Sequence, residues 1–461
     1  MNYRTGDIVK VTPENVAHGG WCVARPDDGP VVFVRHTLPG ETVLARITEV
    51  TSRLARADAV EILTPSPDRV PAPCPYARPG ACGGCDWQHV ALPAQRALKA
   101  TVIREQLSRL AGLDREVAVE ALKGDEEPAG EGPADEGSAD KGLGWRTRVQ
   151  FAVTEDGVAG LRAHRSHQVI GIDQCLIAHP AVTGLGLTTR RWPGTDSLEA
   201  VVAPRTGERA VIMSMRPRGR SSEPAVSSGS TADLPPADSV LRRQGPRLTP
   251  LRGRPYLTQH AAGRDWQVSA TAFWQVHPDA AEVLTQAVLH ALAPQPGDVA
   301  LDLYCGAGLF AGALAPAVGP DGNVAGIEAD SAAVHDARHN LRPWPWARVH
   351  KGDVASVLSR KMQGRKALGQ GRERDVLQQA RLIVADPPRA GLARAVIDFL
   401  SAPGSSAARF AYVSCDPATL ARDIGLLRAR GWTLEGLRGF DAFPMTHHVE
   451  CVATLTRPRP A

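Results

Sequence analysis

The stretch Leu301-Asp302-Leu303-Tyr304-Cys305-Gly306-Ala307-Gly308 constrains this fold more than any other part of the chain. An apolar strand runs into two glycines, and an apolar helix pattern follows. Glycine lets the backbone turn tightly there and come close to a ligand. On either side the pattern alternates. Helices are expected at 280–292, after the glycine turn to 314, at 331–341 and at 417–430. Strands are expected at 299–304, 323–327, 382–385, 410–414 and 450–455, with another from 432 onward. Such alternation predicts an open α/β domain over residues 271–461, with ligands at the carboxyl ends of the strands.

The glycine turn is not a phosphate loop. Position 311 is Ala, so only the first two glycines of a dinucleotide fingerprint are present, and no Lys-Ser/Thr pair follows. A nucleoside ligand without pyrophosphate, such as S-adenosylmethionine, fits better; a nucleotide-binding fold of another kind is the alternative. Glu328 closes the next strand, 20 residues after Gly308, where a carboxylate accepts bonds from ribose hydroxyls. Asp353 follows a third strand, beside the expected adenine edge.

A second constellation lies further along the same rim. Cys415 ends the strand at 410–414, and Pro417 opens the next helix. Helix amides near the sulfur are expected to lower its pKa. A thiolate beside a methyl donor makes sense for a pyrimidine: addition at carbon 6 gives carbon 5 enolate character, so that it attacks the sulfonium methyl. A base must then take the carbon 5 proton. Glu450 is the candidate, contested by His447 and His448. Asp386, in Asp386-Pro387-Pro388-Arg389, ends another strand and is placed to bond a base edge or the donor, with Arg389 free for phosphate or Asp386. Gln275 precedes the first helix of the domain and is placed to contact donor or substrate. Cys305 is read as packing near the donor rather than as a second catalytic thiol.

Residues 1–64 read as short Val- and Ile-rich strands without a helix, a pattern that suggests a small β-barrel. Residues 65–270 form a central α+β region. It has an amphipathic helix at 92–110, strands at 148–154, 160–162 and 169–172, and two flexible inserts, at 124–142 and 217–246. A further polar insert at 359–380 holds six Lys/Arg against two acidic residues and reads as a basic surface loop. Cys74, Cys82 and Cys85 are separated by seven and two residues, and Cys175 is the best fourth partner. Four thiolates suit zinc or a [4Fe–4S] cluster; the lone remote fourth cysteine favours iron–sulfur.

The net charge is only +4, but the segment 123–142 alone carries −5, leaving +9 elsewhere, almost all of it arginine. That suits phosphate contacts and base stacking. There is neither an apolar run of membrane-spanning length nor a secretory signal core at the start, so a cytoplasmic location is expected.

Together these segments resemble the RNA 5-methyluridine methyltransferase family over nearly the whole chain. The resemblance implies a class I donor-binding domain, a TRAM barrel that grips RNA, and a [4Fe–4S] cluster on Cys74, Cys82, Cys85 and Cys175. It makes Cys415 the nucleophile and Glu450 the proton-abstracting carboxylate, and places Asp386 in a DPPR-type motif. It makes Gln275 and, in the donor loop, Tyr304, Gly306 and Gly308 donor-site residues, to which the strand-end reading adds Glu328, Asp353 and Asp386. The chain departs from the pattern at Asp416 and His277, where the family carries Asn. RNA is the expected partner, transfer or ribosomal, and no obligate protein partner is implied. A cytidine-5 enzyme of the same mechanism, or a non-catalytic RNA-binding protein, are the alternatives.

Overall fold

A computed structural model describes residues 3–26, 29–123, 142–217, 234–364 and 372–458. Most of the acidic insert and part of the other two inserts lie outside these residues.

The N-terminal region is a six-stranded sheet in the order Ile8–Val11, Thr42–Val50, Leu54–Thr64, Val31–Arg35, Cys22–Ala24, Asn15–Val16. Val11 at one end and Ala24 towards the other share one apolar core with Val32, Ala45 and Ala57, so the sheet curls around itself. No ladder among the described residues zips the two ends together. The two-residue strand Asn15–Val16 is too short to leave a period-two signal in sequence.

The central region has more sheet than its sequence suggests. Seven strands run in the order Val169–Gly171, Ala159–Arg162, Arg148–Val153, Thr195–Ala203, Glu208–Met215, Ser239–Gln244, Arg247–Arg252. Ser239–Gln244 falls inside the stretch read as a flexible insert. It is a strand because Val240 and Leu241 are fully buried and its backbone pairs with Glu208–Met215. The helix expected at 92–110 is α-helical over Leu92–Gln106 and then widens into a π-helical turn, Leu107–Ala111. That wider turn buries Leu107 and Ala111 and leaves Leu110 47% exposed, off the face that the helical spacing assigns it.

The C-terminal sheet has eight strands, in the order Ala347–Lys351, Asn323–Glu328, Val299–Leu303, Leu382–Ala385, Arg409–Ser414, Glu450–Thr456, Thr433–Phe440, Val119–Glu120. The first five are parallel, and Glu450–Thr456 runs antiparallel to Arg409–Ser414. Chain order reverses at Val299–Leu303, which makes the carboxyl end of that strand the expected binding crevice. Ile103, Leu107 and Val117 share the apolar core of this sheet, so the segment from the long helix to Val119–Glu120 is built onto it. The polar insert at 359–380 is more than a surface loop: helix Val354–Met362 runs into it, and helix Arg372–Gln379 buries Val376 and Leu377 in the same core. No helix among the described residues is long and apolar enough to cross a membrane.

Candidate active site

Tyr304, Glu328, Asp386 and Cys415 stand at or just past the carboxyl ends of four parallel strands on one rim. Tyr304, Gly306 and Gly308 have φ of 64°, 53° and 87°, which is the left-handed turn that the glycine spacing requires. The Gly306 amide donates to Glu328 Oε2 at 3.0 Å and the Asp330 amide to Oε1 at 2.7 Å. The carboxylate is thereby fixed, with one lone pair on each oxygen left over for a diol. Asp353 caps the helix Val354–Met362 by accepting from the Ser356 amide at 2.9 Å. With Tyr304 it lines a cavity of about 500 Å³. Burial and Asp353 push the Tyr304 phenol up to about 12, so it is a neutral wall and donor. Gln275 is buried in the segment leading to helix Ala280–Leu292, a segment tied to the central sheet by two hydrogen bonds from Thr147 to the Val276 carbonyl. His277 is buried and stacks on Trp145. Cys305 is buried against Gly326, where a Cβ would come within 2.8 Å of its sulfur, so it is a packing residue.

The acceptor side is assembled by strand register. Ser414 pairs with Cys451 at the end of the ladder, and just past it Cys415 lies close enough to Glu450 to feel its charge. Glu450 is buried, and its Oε1 has no hydrogen-bond partner among the described residues. Burial, then the charge of Asp386, push its pKa well above the carboxylate range, and Arg389 pulls it back. Asp386 is raised by burial. The Cys415 thiol is pushed up to about 12 by burial and by Glu450, Asp386 and Asp416, against Arg389. The expectation of a helix-lowered thiol is thus reversed. Asp416, not the sulfur, occupies the capping position and takes the Thr419 amide at 2.8 Å, while burial and then the neighbouring carboxylates disfavour the thiolate. Beside Cys415 is a pocket of about 120 Å³, whose walls include His18, Gly20, Arg389 and His448. It is close to the roughly 150 Å³ that accommodates a benzene ring.

Several working residues carry no role in the sequence reading. Asp302 is fully buried within its strand; Oδ2 holds the Ala311 amide at 2.8 Å and Oδ1 has no partner among the described residues. Burial, with Asp386 and Glu328 nearby, pushes its pKa well up. A charged residue inside an apolar strand was the available signal. Lys99 and Asp441 form a fully buried pair at 2.5 Å, and Lys99 also donates to the Phe443 carbonyl. Gln95 accepts from the Met445 amide at 2.8 Å, and Asp86 holds His447 Nδ1 at 2.6 Å. Together these strap the loop that leads into Glu450. Their partners lie more than 300 residues away in sequence, beyond the reach of any local pattern.

The four candidate metal cysteines come from two connections, Cys74, Cys82 and Cys85 before helix Leu92–Gln106 and Cys175 after strand Val169–Gly171. Cys85 lies close enough to Cys74, Cys82 and Cys175 to feel their charge, Cys82 to Cys74 and Cys175, and Cys175 to Cys74. The Gly84 amide donates to Cys82 Sγ at 3.4 Å and Gln88 Nε2 to Cys85 Sγ at 3.2 Å. Among the described residues no three His, Cys, Asp or Glu side chains are arranged to hold a single metal ion.

A glycine turn, a strand-end glutamate and a buried acidic crevice on a doubly wound sheet define a Rossmann-like methyltransferase that uses S-adenosylmethionine. Residues 260–458 match the family described as tRNA (uracil-5-)-methyltransferase, and residues 4–60 match the TRAM domain. An uncharacterized RNA methyltransferase of Streptomyces coelicolor is 49% identical over 98% of this chain and 93% of its own length. One from Bifidobacterium longum is 33% identical over 98% of both chains. The solved structure of Pyrococcus abyssi tRNA (uracil-54, C5)-methyltransferase in complex with S-adenosyl-L-homocysteine superposes with a TM-score of 0.67. It covers 97% of this chain and 100% of that one, at 20% identity, which establishes the shared fold. The chain belongs to the RNA uracil-5 methyltransferase family and carries its TRAM domain. It transfers a methyl group from S-adenosylmethionine to carbon 5 of uracil in RNA, which sets aside the cytidine and non-catalytic readings.

Proposed function

We propose that Cys415 is the nucleophile and Glu450 the base of this reaction, acting on an unpaired uridine of a folded RNA. The single observation behind this reading is the facing of Cys415 and Glu450 inside a group of buried carboxylates that also holds Asp386. Asp302, Asp386, Glu328 and Glu450 crowd one crevice, and two of their oxygens lack partners among the described residues. Such a crevice repels its own negative charges and suits a cationic ligand. S-adenosylmethionine supplies that cation and, on it, an electrophilic methyl group. Glu328 is placed for its ribose, Asp353 and Tyr304 for its base, Gly306 and Gly308 for close backbone approach, and Gln275 and Asp386 as further donor contacts.

As positive charge enters the crevice the Cys415 thiol gives up its proton to solvent, and the thiolate bonds to carbon 6 of the uracil while the 5,6 electron pair moves towards the 4-oxygen. That pair returns through carbon 5 to form the bond to the methyl group, whose bond to the sulfonium sulfur breaks and leaves neutral S-adenosylhomocysteine. Glu450 then removes the carbon 5 proton, the 5,6 double bond re-forms, and Cys415 leaves as thiolate. His447 is engaged by Asp86. His448 is held down at about 3 by burial, His447 and Arg389, which makes it a weak base. Both facts favour Glu450. Arg389 offsets the carboxylates and keeps the thiolate within reach.

Cys74, Cys82, Cys85 and Cys175 would hold a [4Fe–4S] cluster. Thiolates on one zinc stand about 3.8 Å apart, whereas those of a four-iron cube bind different corners and stand wider. Neighbouring sulfurs with N–H donors from Gly84 and Gln88, and no group arranged around a single ion among the described residues, support the cube over one zinc. Its part would be structural or RNA-contacting, since no step above moves a single electron. The RNA path would follow the basic groove beside it, which Arg146, Arg162, Arg165 and His167 line. The cytoplasm, where transfer and ribosomal RNA are found, is the expected compartment. Incubation of the purified enzyme with labelled donor and unmodified transfer RNA or ribosomal RNA, followed by nucleoside mass analysis, tests the reading. 5-Methyluridine in one of them is expected; its absence from both overturns the substrate reading.

A further inference from the structure

We propose that His18 is a positioning residue for methyl transfer, which through Asp416 latches a turn of the N-terminal domain across the mouth of the Cys415 pocket. This rests on Cys415 being the nucleophile. Ala17, His18, Gly19 and Gly20 form one wall of that pocket, opposite Cys415 and Arg389. His18 Nε2 lies 3.0 Å from Asp416 Oδ2, while Asp416 Oδ1 takes the Thr419 amide at 2.8 Å. One side chain, adjacent to the nucleophile, thus caps a catalytic-domain helix and holds the barrel turn. The other flank of the turn is equally constrained. Gly20 has φ of 81°, and a Cβ there would lie 2.8 Å from His447 Cβ. Its carbonyl accepts from Trp87 Nε1 at 3.2 Å.

The base pocket is therefore completed by a separate domain. With the latch made, the turn covers the thiol and gives the incoming pyrimidine a fixed wall. With it broken, the same crevice opens to water, and the ring loses the face that holds carbon 6 against sulfur. His18 is raised above its ordinary pKa by its hydrogen bond to Asp416, and Asp416 is lowered to about 2, so the link is an ion pair wherever the imidazole carries its proton. The other titratable groups around this pocket are Arg389, Cys415, His447 and His448. The Asn usual in the family at 416 would cap the helix equally well but would not carry this charge.

The test compares full-length wild type, His18→Ala, His18→Gln, Asp416→Asn and the His18→Ala/Asp416→Asn double variant on an RNA substrate. It reads kcat and both KM values from pH 6 to 9. A displaced pocket wall should lower kcat about tenfold in His18→Ala with the KM for donor unchanged. The double variant should be no slower than His18→Ala. His18→Gln, which keeps a neutral donor, should recover most of the rate, and the advantage of wild type over it should fade as pH rises and the imidazolium loses its proton. Wild-type kcat in His18→Ala, additive losses in the double variant, or a loss that His18→Gln leaves unrescued at every pH each overturn the latch. Cys415→Ala is assayed alongside. If it still turns over, the nucleophile assignment fails; if it is dead while His18→Ala is normal, only the latch fails.

Discussion

Cys415 stands beside Glu450 just past the end of the ladder in which Ser414 and Cys451 are register partners, near enough to feel its charge. The register therefore sets the spacing of the proposed nucleophile and base, with Glu450 opening one strand and Cys415 one residue past the other. Cys415→Ala should leave this frame intact and donor affinity within about twofold, because the sulfur contributes to the acceptor pocket. Turnover should fall to background. Donor binding by calorimetry and methyl transfer on the same preparation check both halves. Residual turnover at a few per cent of wild type would exclude covalent catalysis through this thiol.

Glu450→Gln should slow turnover by about 10²–10⁴-fold, the usual range for removing a positioned base. Methyl transfer to carbon 5 precedes proton removal, so the protein should accumulate bound to methylated RNA. A denaturant-resistant band on a gel, carrying donor label, is the expected readout. A slow variant without that band would place the defect before methyl transfer and move the base elsewhere.

The places of Gly306, Gly308 and Glu328 on the rim were legible because each stands at a short, fixed offset from a strand end. Cys415 and Asp386 were legible for the same reason. The supports were not. Lys99, Gln95 and Asp86 reach Asp441, Met445 and His447 across the chain, and polar side chains on a helix and a loop look like ordinary surface until folding buries them. The electrostatics of Cys415 were misjudged because a helix start is a local signal, whereas Glu450, Asp386 and Asp416 converge only in three dimensions. Likewise Ser239–Gln244 looked like linker beside Ser- and Pro-rich sequence, and only its parallel partner Glu208–Met215 makes it a strand.

The cysteine group gives a prediction on metal. Purified without oxygen, the protein should be brown with about four irons, and Cys85→Ser should lose colour and iron together. Burial and the neighbouring thiols raise the Cys85 thiol, so without a metal it stays protonated and packs as a small apolar group. Iron removal by chelation should therefore lower the unfolding midpoint more than it lowers kcat per folded molecule. One tightly bound zinc and no iron would reverse the assignment.

The carboxylate crevice predicts how pH acts on the donor. Burial raises Asp386, and burial with Asp386 raises Glu450, so the free folded protein holds protons that the unfolded chain releases near pH 4. Stability of the ligand-free enzyme should decline as pH rises above that value through the raised folded pKa values. A cationic donor favours the ionised carboxylates, so its binding should release protons and tighten from pH 6 to 8. S-adenosylhomocysteine lacks the sulfonium charge and should show a shallower slope. Calorimetry in buffers of different ionisation heat measures both; equal slopes for the two ligands would remove the crevice's charge from the account.

Lys99 and Asp441 test whether the Glu450 loop is held from the far side. Both are fully buried, and Asp441 Oδ2 has no partner among the described residues, so Lys99 is the main compensation for that charge. Lys99→Ala should cost about 3–5 kcal/mol in denaturant unfolding, because it leaves a buried carboxylate alone. Replacing the pair together, with Lys99→Met and Asp441→Leu, should recover much of the stability, since apolar groups of similar size often substitute for a buried ion pair. It should not recover the rate. Lys99 also holds the Phe443 carbonyl, and without that bond the loop before Glu450 loses a strut. A stable double variant with reduced kcat and unchanged donor affinity separates positioning from folding; full activity in that variant would show that the sheet register alone holds the base.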